Sequence, residues 1–419
     1  MEHQPFSYDS EAAFLEDIAS KGLAIPYQQD TSVLCTPYTG MNLTIKNRIL
    51  SQPIEGFDSK SNGAPSERSA SRYCRLAKNG FGTLWFESIS VSEDGRSNPY
   101  QLWLTEENST EFKSMLHRVR DSGNGAPPFL VAQLTHSGRY SKPTPVCGFE
   151  NPLIPKENAV IASDDYLEKL EDTYVKTALL AEYVGFDAVD IRACHGYLIN
   201  ELFAAYNRSG QYGGCFENRI RLLVNIVKKL RKVSNIPIGV RLNMFDAMPY
   251  PFGWGCSKNN PLVPDLAEPL KLLDILASLG VKIFNISSGI GAISPYVIRP
   301  YDRGGIPCPE HPLEGVYRML DMARQVKAAH PDILVAGSAL SWLREFAPGV
   351  ASSCIQNGWF DLAGFGRQCI AYPEFAKEIL SGHTMDRSAC CTTCCGCTAL
   401  IKKRQKKLRC VYRTEDQDY

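Results

Sequence analysis

Short and almost wholly apolar runs recur along the chain, at residues 45–50, 84–86, 129–134, 188–191, 238–242, 283–286, 333–336 and 362–363. Runs of this length, apolar on both faces, predict strands buried on both sides. Between them lie longer stretches with apolar residues at helical spacing. The clearest opens at Ser163, a serine N-cap followed by Asp164 and Asp165, which suit the positive end of a helix dipole. Leu167, Leu170, Tyr174, Ala178, Ala181 and Val184 then form one stripe, and Gly185 ends it. Residues 217–232, 266–279 and 315–329 repeat the pattern. Eight strand–helix alternations predict an α/β fold, one closed TIM-type (β/α)8 barrel rather than an open sheet. The expected organisation is an N-terminal extension (1–35), the barrel (36–385) and a C-terminal tail (386–419). Residues 6–21 carry a short helical pattern, expected to pack on the floor or edge of the barrel.

Composition narrows the class without changing the fold. The 419 residues are 44% hydrophobic and 21% charged, as in ordinary globular proteins. With 45 basic and 45 acidic side chains the net charge is zero, so nothing in bulk electrostatics favours nucleic acid or an acidic membrane. The longest apolar runs are strand-length, so no membrane span is expected. The polar first 30 residues lack a signal-peptide core, and a cytoplasmic location is expected. The 15 cysteines are unusual only in placement. Cys35, Cys74, Cys147 and Cys354 stand alone and read as packing residues. Cys390, Cys391, Cys394, Cys395, Cys397 and Cys410 crowd the end, which in such a chain points to metal or redox chemistry before disulfides.

In a barrel of this kind the chemistry sits at the C-terminal ends of the strands. After the third strand, Gln133 offers both a donor and an acceptor, which suits the pyrimidine edge of a flavin or the cap of a loop. After the fourth comes Arg192-Ala-Cys-His195-Gly-Tyr197. Two nitrogen donors and a phenol could bind an oxygen and protonate a nearby carbon. The plainer alternative is a hydrogen-bonded loop histidine and an ion pair between Arg192 and Asp190. Arg241, deep in the fifth strand, needs an anionic partner, either a reduced flavin near N1 or a protein carboxylate. Gly337, Ser338, Gly366 and Arg367 follow the last two strands, where barrels commonly grip a phosphate. The proline- and aromatic-rich stretch 248–261 is either a wall of the site or an inert ordered loop.

These motifs resemble the Old Yellow Enzyme family of NADH:flavin oxidoreductases, from about Asn47 to Leu380. The matching pieces are IKNRI, LAKNGFGTLWFES, AQLTHSGR, DIRACHGYL, NRSGQYGG, FENRIRLL, VRLN and the GS and GFGR loops. The resemblance implies a TIM barrel holding FMN. Pro53, Ile54 and Ser88 would line the flavin, Gln133 its pyrimidine side and Arg241 the N1–C2=O region. Gly337, Ser338, Gly366 and Arg367 would hold the phosphate. Tyr197 would donate the proton and His195 would bind the substrate's activating oxygen. Arg192 stands where relatives carry histidine or asparagine, and brings a fixed positive charge. Glu55 stands where some relatives carry a redox-tuning cysteine; pointing inward, its carboxylate would lower the flavin potential.

The tail is similar to that of the 2,4-dienoyl-CoA reductase branch, in which such cysteines bind a 4Fe–4S centre. Cys391, Cys394, Cys397 and Cys410 could supply four thiolates, although zinc or unliganded redox thiols fit the same spacing. No dinucleotide fingerprint follows the barrel, so a cluster would pass electrons to a partner protein. The basic run at 402–409 reads as a solvated tail. The expected activity is NAD(P)H-dependent reduction of a small molecule with an activated C=C bond, an ene-reductase reaction. The alternatives are a dehydrogenase or demethylase feeding a cluster, and a flavin-binding protein without turnover. A homo-oligomer is compatible with all three.

Overall fold

The computed structural model describes residues 2–123, 125–402 and 408–413. Eight parallel strands form the barrel: β1 (Ile49–Ser51), β2 (Thr83–Trp85), β3 (Phe129–Thr135), β4 (Ala188–Ile191), β5 (Ile238–Asn243), β6 (Ile283–Ser287), β7 (Leu334–Gly337) and β8 (Leu362–Phe365). They pair in chain order, and β8 returns to β1, so no edge is left open. Each strand is followed by an outer helix: α1 (Glu67–Lys78), α2 (Ser109–Asp121), α3 (Asp164–Val184), α4 (Arg221–Val233), α5 (Ala267–Ser278), α6 (Pro312–Ala329), α7 (Ala347–Gln356) and α8 (Phe375–Leu380). The expected barrel is therefore the observed one.

Helix ends follow local chemistry. Ser163 accepts from Tyr166 N to cap α3, and Gly185 closes it in the left-handed conformation at φ +107°. α6 starts earlier than its apolar stripe suggests. His311 accepts from Leu313 N, Glu314 returns a bond to the His311 N–H, and Pro312 opens the first turn. The stretch 217–232 is two helices, not one: a short turn at Phe216–Arg219 and then α4, parted at Ile220.

The first apolar run, 45–50, is also divided. Leu43–Ile45 pairs antiparallel with Tyr38–Gly40 in a hairpin, and β1 begins only at Ile49. Met41 and Asn42, at φ +54° and +62°, make the tight turn. Asn47 breaks the run, its Oδ1 accepting from Ile49 N and its Nδ2 donating to Gly80 O. Tyr38 and Ile45 join Leu50, Val131, Ala188, Ile283, Leu334 and Leu362 in a separate apolar cluster, so the hairpin stoppers the N-terminal mouth of the barrel. The N-terminal helix Glu11–Ser20 lies instead on the barrel's flank, where Phe14 stacks on Phe346 at 4.6 Å. Residues 248–261 form an ordered wall beyond β5, anchored by the buried Trp254, whose indole donates to Asn243 O at 2.9 Å. Among the described residues no helix is long and apolar enough to cross a membrane.

Candidate active site

The parallel strands bring Glu55, Ser88, Gln133, Arg192, His195, Tyr197, Arg241 and Ser287 to one end of the barrel. The loop after β4 is shaped by two left-handed residues, His195 at φ +62° and Gly196 at φ +78°. The Gly196 N–H donates to Asn200 Oδ1 at 2.6 Å, and Asn200 in turn donates to Asp246. This turn aims His195 toward β6, where Nε2 meets Ser287 Oγ at 2.6 Å. Tyr197 is carried to the opposite side, toward β1.

There Glu55 Oε1 accepts twice, from Arg192 Nη1 at 2.8 Å and from the Tyr197 hydroxyl at 3.2 Å. The Arg192 guanidinium lies 3.5 Å above the centre of the Tyr197 ring, close enough for a cation–π contact. It also donates to Ser88 Oγ, Ser88 donates to Gln133 Oε1 at 3.0 Å, and Gln133 Nε2 donates to Asp190 at 2.6 Å. Asp190 further accepts from the Trp85 indole and from Arg241 N. The alternative reading of an ion pair with Asp190 is not what forms; Arg192 pairs with Glu55. Asp190 points into the barrel and is filled by neutral donors, whereas Glu55 arrives from the β1 loop beside the guanidinium. The amide of Gln133 is engaged at both ends within the protein.

Charge states follow from this packing. Burial, with Glu55 and Tyr140, pushes the Tyr197 phenol well above its ordinary range, and Arg192 pulls the other way. Burial and the cations Arg241, Arg192 and Arg299 hold the His195 imidazole well below its ordinary value. Burial works against the charge of Arg192, but Tyr197 and Glu55 outweigh it and hold the guanidinium above its ordinary value. At neutral pH the site therefore presents a neutral phenol, a neutral imidazole and a paired guanidinium. Behind it, Glu87 takes Gly56 N at 2.7 Å and is salt-bridged to Arg72, which also grips Asp58. Burial pushes Glu87 up to about 7.

The loops after β7 and β8 approach β1 closely. Gln52 donates to Ser338 Oγ at 2.9 Å, and a Cβ on Gly366 would sit 3.6 Å from Ile54. Glycine at 337 has a packing reason of its own, because a Cβ would lie 2.7 Å from the Phe360 ring. Pro53 is half-buried beside Ile54. A cavity of ≈ 510 Å³ lies on this side, lined among others by Gln52, Ile54, Leu76 and Ile370. Arg367 turns toward the tail, donating to Pro300 O at 2.6 Å and reaching Cys395 Sγ at 3.8 Å.

The family profile of the NADH:flavin oxidoreductases / NADH oxidases matches residues 33–250. The chain belongs to that family. The oxidoreductase expected from the motifs is borne out with it. NADPH dehydrogenase of Bacillus subtilis is 25% identical over 358 residues, covering 82% of this chain and 93% of the relative. NADH oxidase of Thermoanaerobacter brockii is 24% identical over 388 residues, but those cover only 54% of its length, so the chain spans about half of that relative. The solved Old Yellow Enzyme homologue of Zymomonas mobilis has the same fold, with a TM-score of 0.63 at 21% identity over 83% of this chain and 92% of that one.

FMN, the cofactor this flavin family implies, suits two features of the site. Arg241 is buried with Nε lacking any hydrogen-bond partner, and burial depresses its pKa. A guanidinium so placed calls for an anion at the strand ends. Arg299, in the loop after β6, also has an unpartnered Nε and faces Arg367, whose like charge works with burial against its protonation. A phosphate would relieve both cations. Motif reading missed Arg299, which sits in a glycine-rich loop with no local signal. It also missed Ser287, marked only by ending β6, and the pairing of Glu55.

The tail cysteines gather but do not converge. Cys391, Cys394, Cys395, Cys397 and Cys410 line one cavity of ≈ 370 Å³. Thr393 N donates to Cys391 Sγ and Gly396 N to Cys394 Sγ. Yet among the described residues no three ligating side chains are grouped to hold a metal ion, and burial pushes the Cys391 thiol up to about 11. Residues 403–407 of the basic run lie outside the described residues.

Proposed function

We propose that this protein is an FMN-dependent oxidoreductase that uses NAD(P)H to reduce an activated C=C bond in a small molecule. The observation that carries the reading is that one loop, after β4, presents the His195 imidazole toward β6 and the Tyr197 phenol toward β1 at the same end of the barrel. Bound FMN would supply the hydride, received from the nicotinamide and passed to the β-carbon. Arg241 would hold the N1–C2=O edge, Gln133 and Ser88 the pyrimidine side, and Pro53 and Ile54 the β1 side. Ser338, Gly337, Gly366 and Arg367, with Arg299, would hold the phosphate. His195 donates an N–H to the carbonyl oxygen and draws charge from the alkene. Tyr197 gives its proton to the α-carbon; a phenol with so high a pKa keeps that proton until a basic carbon develops. Arg192, tied to Glu55 and Ser88, holds the Tyr197 ring in place from above.

Anaerobic mixing of the flavin-loaded protein with NADPH or NADH, and then with an enone, tests this. Flavin colour should bleach and then return. A flavin that bleaches and is reoxidised by no conjugated acceptor sinks the proposal.

The cysteine cavity favours a second reading, in which Cys391, Cys394, Cys397 and Cys410 hold a 4Fe–4S cluster and the protein hands electrons to a partner. The thiols share a cavity without converging, so no step above runs through a cluster. Iron and acid-labile sulfide in protein prepared without oxygen would support it; their absence removes it.

A further inference from the structure

We infer that Glu55 is the proton relay of the site, returning a proton from solvent to Tyr197 after each turnover. The inference rests on the ene-reduction reading for its direction, but the contact it uses is in the structure. The Tyr197 hydroxyl donates to Glu55 Oε1 at 3.2 Å, and the same oxygen binds Arg192 at 2.8 Å. Glu55 is the carboxylate of this trio and is open to water: its side chain is 17% exposed against 7% for Arg192. The phenol is flanked by Arg192 above, Tyr140 at 5.3 Å and the Glu55 carboxylate, and is itself only partly buried. The carboxylate is the acid–base group in direct hydrogen-bond contact with its hydroxyl.

The position of Glu55 is set from behind. The next residue, Gly56, gives its N–H to Glu87, and Glu87 and Asp58 are both clamped by Arg72 of α1. A Cβ at Gly56 would meet the Arg72 guanidinium, which would have to move and loosen its hold on Glu87 and Asp58. The charged and titratable groups facing Glu55 are Arg192 and Tyr197 from the β4 loop and Glu87 from the end of β2.

The step balances as follows. The Tyr197 O–H bond breaks, its proton forms a C–H bond at the α-carbon, and a phenolate remains. Left so, the trio would carry a net negative charge in a buried place, which is costly. A hydrated proton from solvent protonates Glu55, the new O–H passes its proton to the phenolate, and Glu55 returns to carboxylate. One solvent proton is consumed for each hydride delivered, and no further oxidant or reductant is needed.

Two measurements test it. In flavin-free protein carrying a polyfluorinated tyrosine at 197, fluorine NMR follows ionisation of that phenol with pH. Glu55→Gln should lower the ionisation pH by about one unit or more, because a hydrogen-bonding carboxylate no longer favours the neutral phenol. No shift overturns the inference, whatever the enzyme reduces. In flavin-loaded protein, Glu55→Ala should lower alkene turnover about a hundredfold. Formate should restore part of that rate with saturation, and Glu55→Asp should retain more of it than Glu55→Ala. Flavin content serves as the folding check. Loss of turnover that neither formate nor aspartate relieves overturns the relay. If wild-type protein turns over no alkene, ene reduction falls, and the phenol titration alone decides on Glu55.

Discussion

Replacing Arg192 by methionine should destabilise the protein by about 3–5 kcal/mol, the usual result of leaving one buried charge without its partner. Glu55 is the charge left behind, with only 17% of its side chain exposed. With charge centres about 4 Å apart and an effective dielectric near 20, the attraction lost is about 4 kcal/mol. Arg192 also surrenders its bond to Ser88 and its contact with the Tyr197 ring, each worth about 1 kcal/mol. Much of this gross energy was already spent on desolvating the pair, so the double variant Arg192→Met with Glu55→Leu should recover most of the loss. The assay is urea unfolding of flavin-free protein followed by tryptophan fluorescence, with the four proteins of the cycle compared at equal slope. A coupling energy below about 1 kcal/mol would refute the reasoning, since it would mean that the pair is screened like a surface contact.

Arg241→Met should act in opposite directions on the two forms: flavin-free protein gains stability because a buried guanidinium with an unpartnered Nε is gone, while FMN binding, read by flavin fluorescence, weakens at least about tenfold. Burial lowers His136 from 6.5 to about 4. A buried imidazole that resists protonation gives stability present above pH 6.5 and lost as pH falls toward 4, by about 3 kcal/mol in all; His136→Asn should flatten that part of the stability–pH curve. Gly364→Ala should lower the melting temperature clearly, because its Cβ would lie 2.2 Å from Gln52 Nε2 and 2.4 Å from Gly337 O, and the backbone oxygen cannot swing away.

The barrel was readable because most of the strands are short and largely apolar and stop at a polar residue or glycine. A run such as 238–242 belongs in the middle of a covered parallel sheet and almost nowhere else. The run 45–50 misled because Ile45 ends the hairpin and Ile49 and Leu50 start the strand; Lys46, Asn47 and Arg48 mark the break, and the part of Asn47 in the turn is a tertiary matter. In the site, His195 and Tyr197 stand in one motif, and local spacing suffices to bring them together. The partners that set their chemistry do not: Glu55 is 142 residues from Tyr197, and Ser287 is 92 from His195. Such pairings are made by barrel closure, which leaves no trace in either neighbourhood. Arg192 shows the cost of this, since the nearest carboxylate in sequence, Asp190, is taken up by Gln133, Trp85 and the Arg241 N–H instead.

The hairpin that stoppers the barrel also bears on how the protein can be used. With the barrel interior packed and its N-terminal end covered by Tyr38 and Ile45, the strand-end site is approached from its own face. On the proposed chemistry, nicotinamide and alkene would both meet the flavin at that face and take turns there. Their traffic is then an alternation: the first visitor leaves its electrons behind and departs before the second is admitted. The rate law of such a turnstile gives parallel double-reciprocal lines, and each substrate at high concentration blocks the entry of the other.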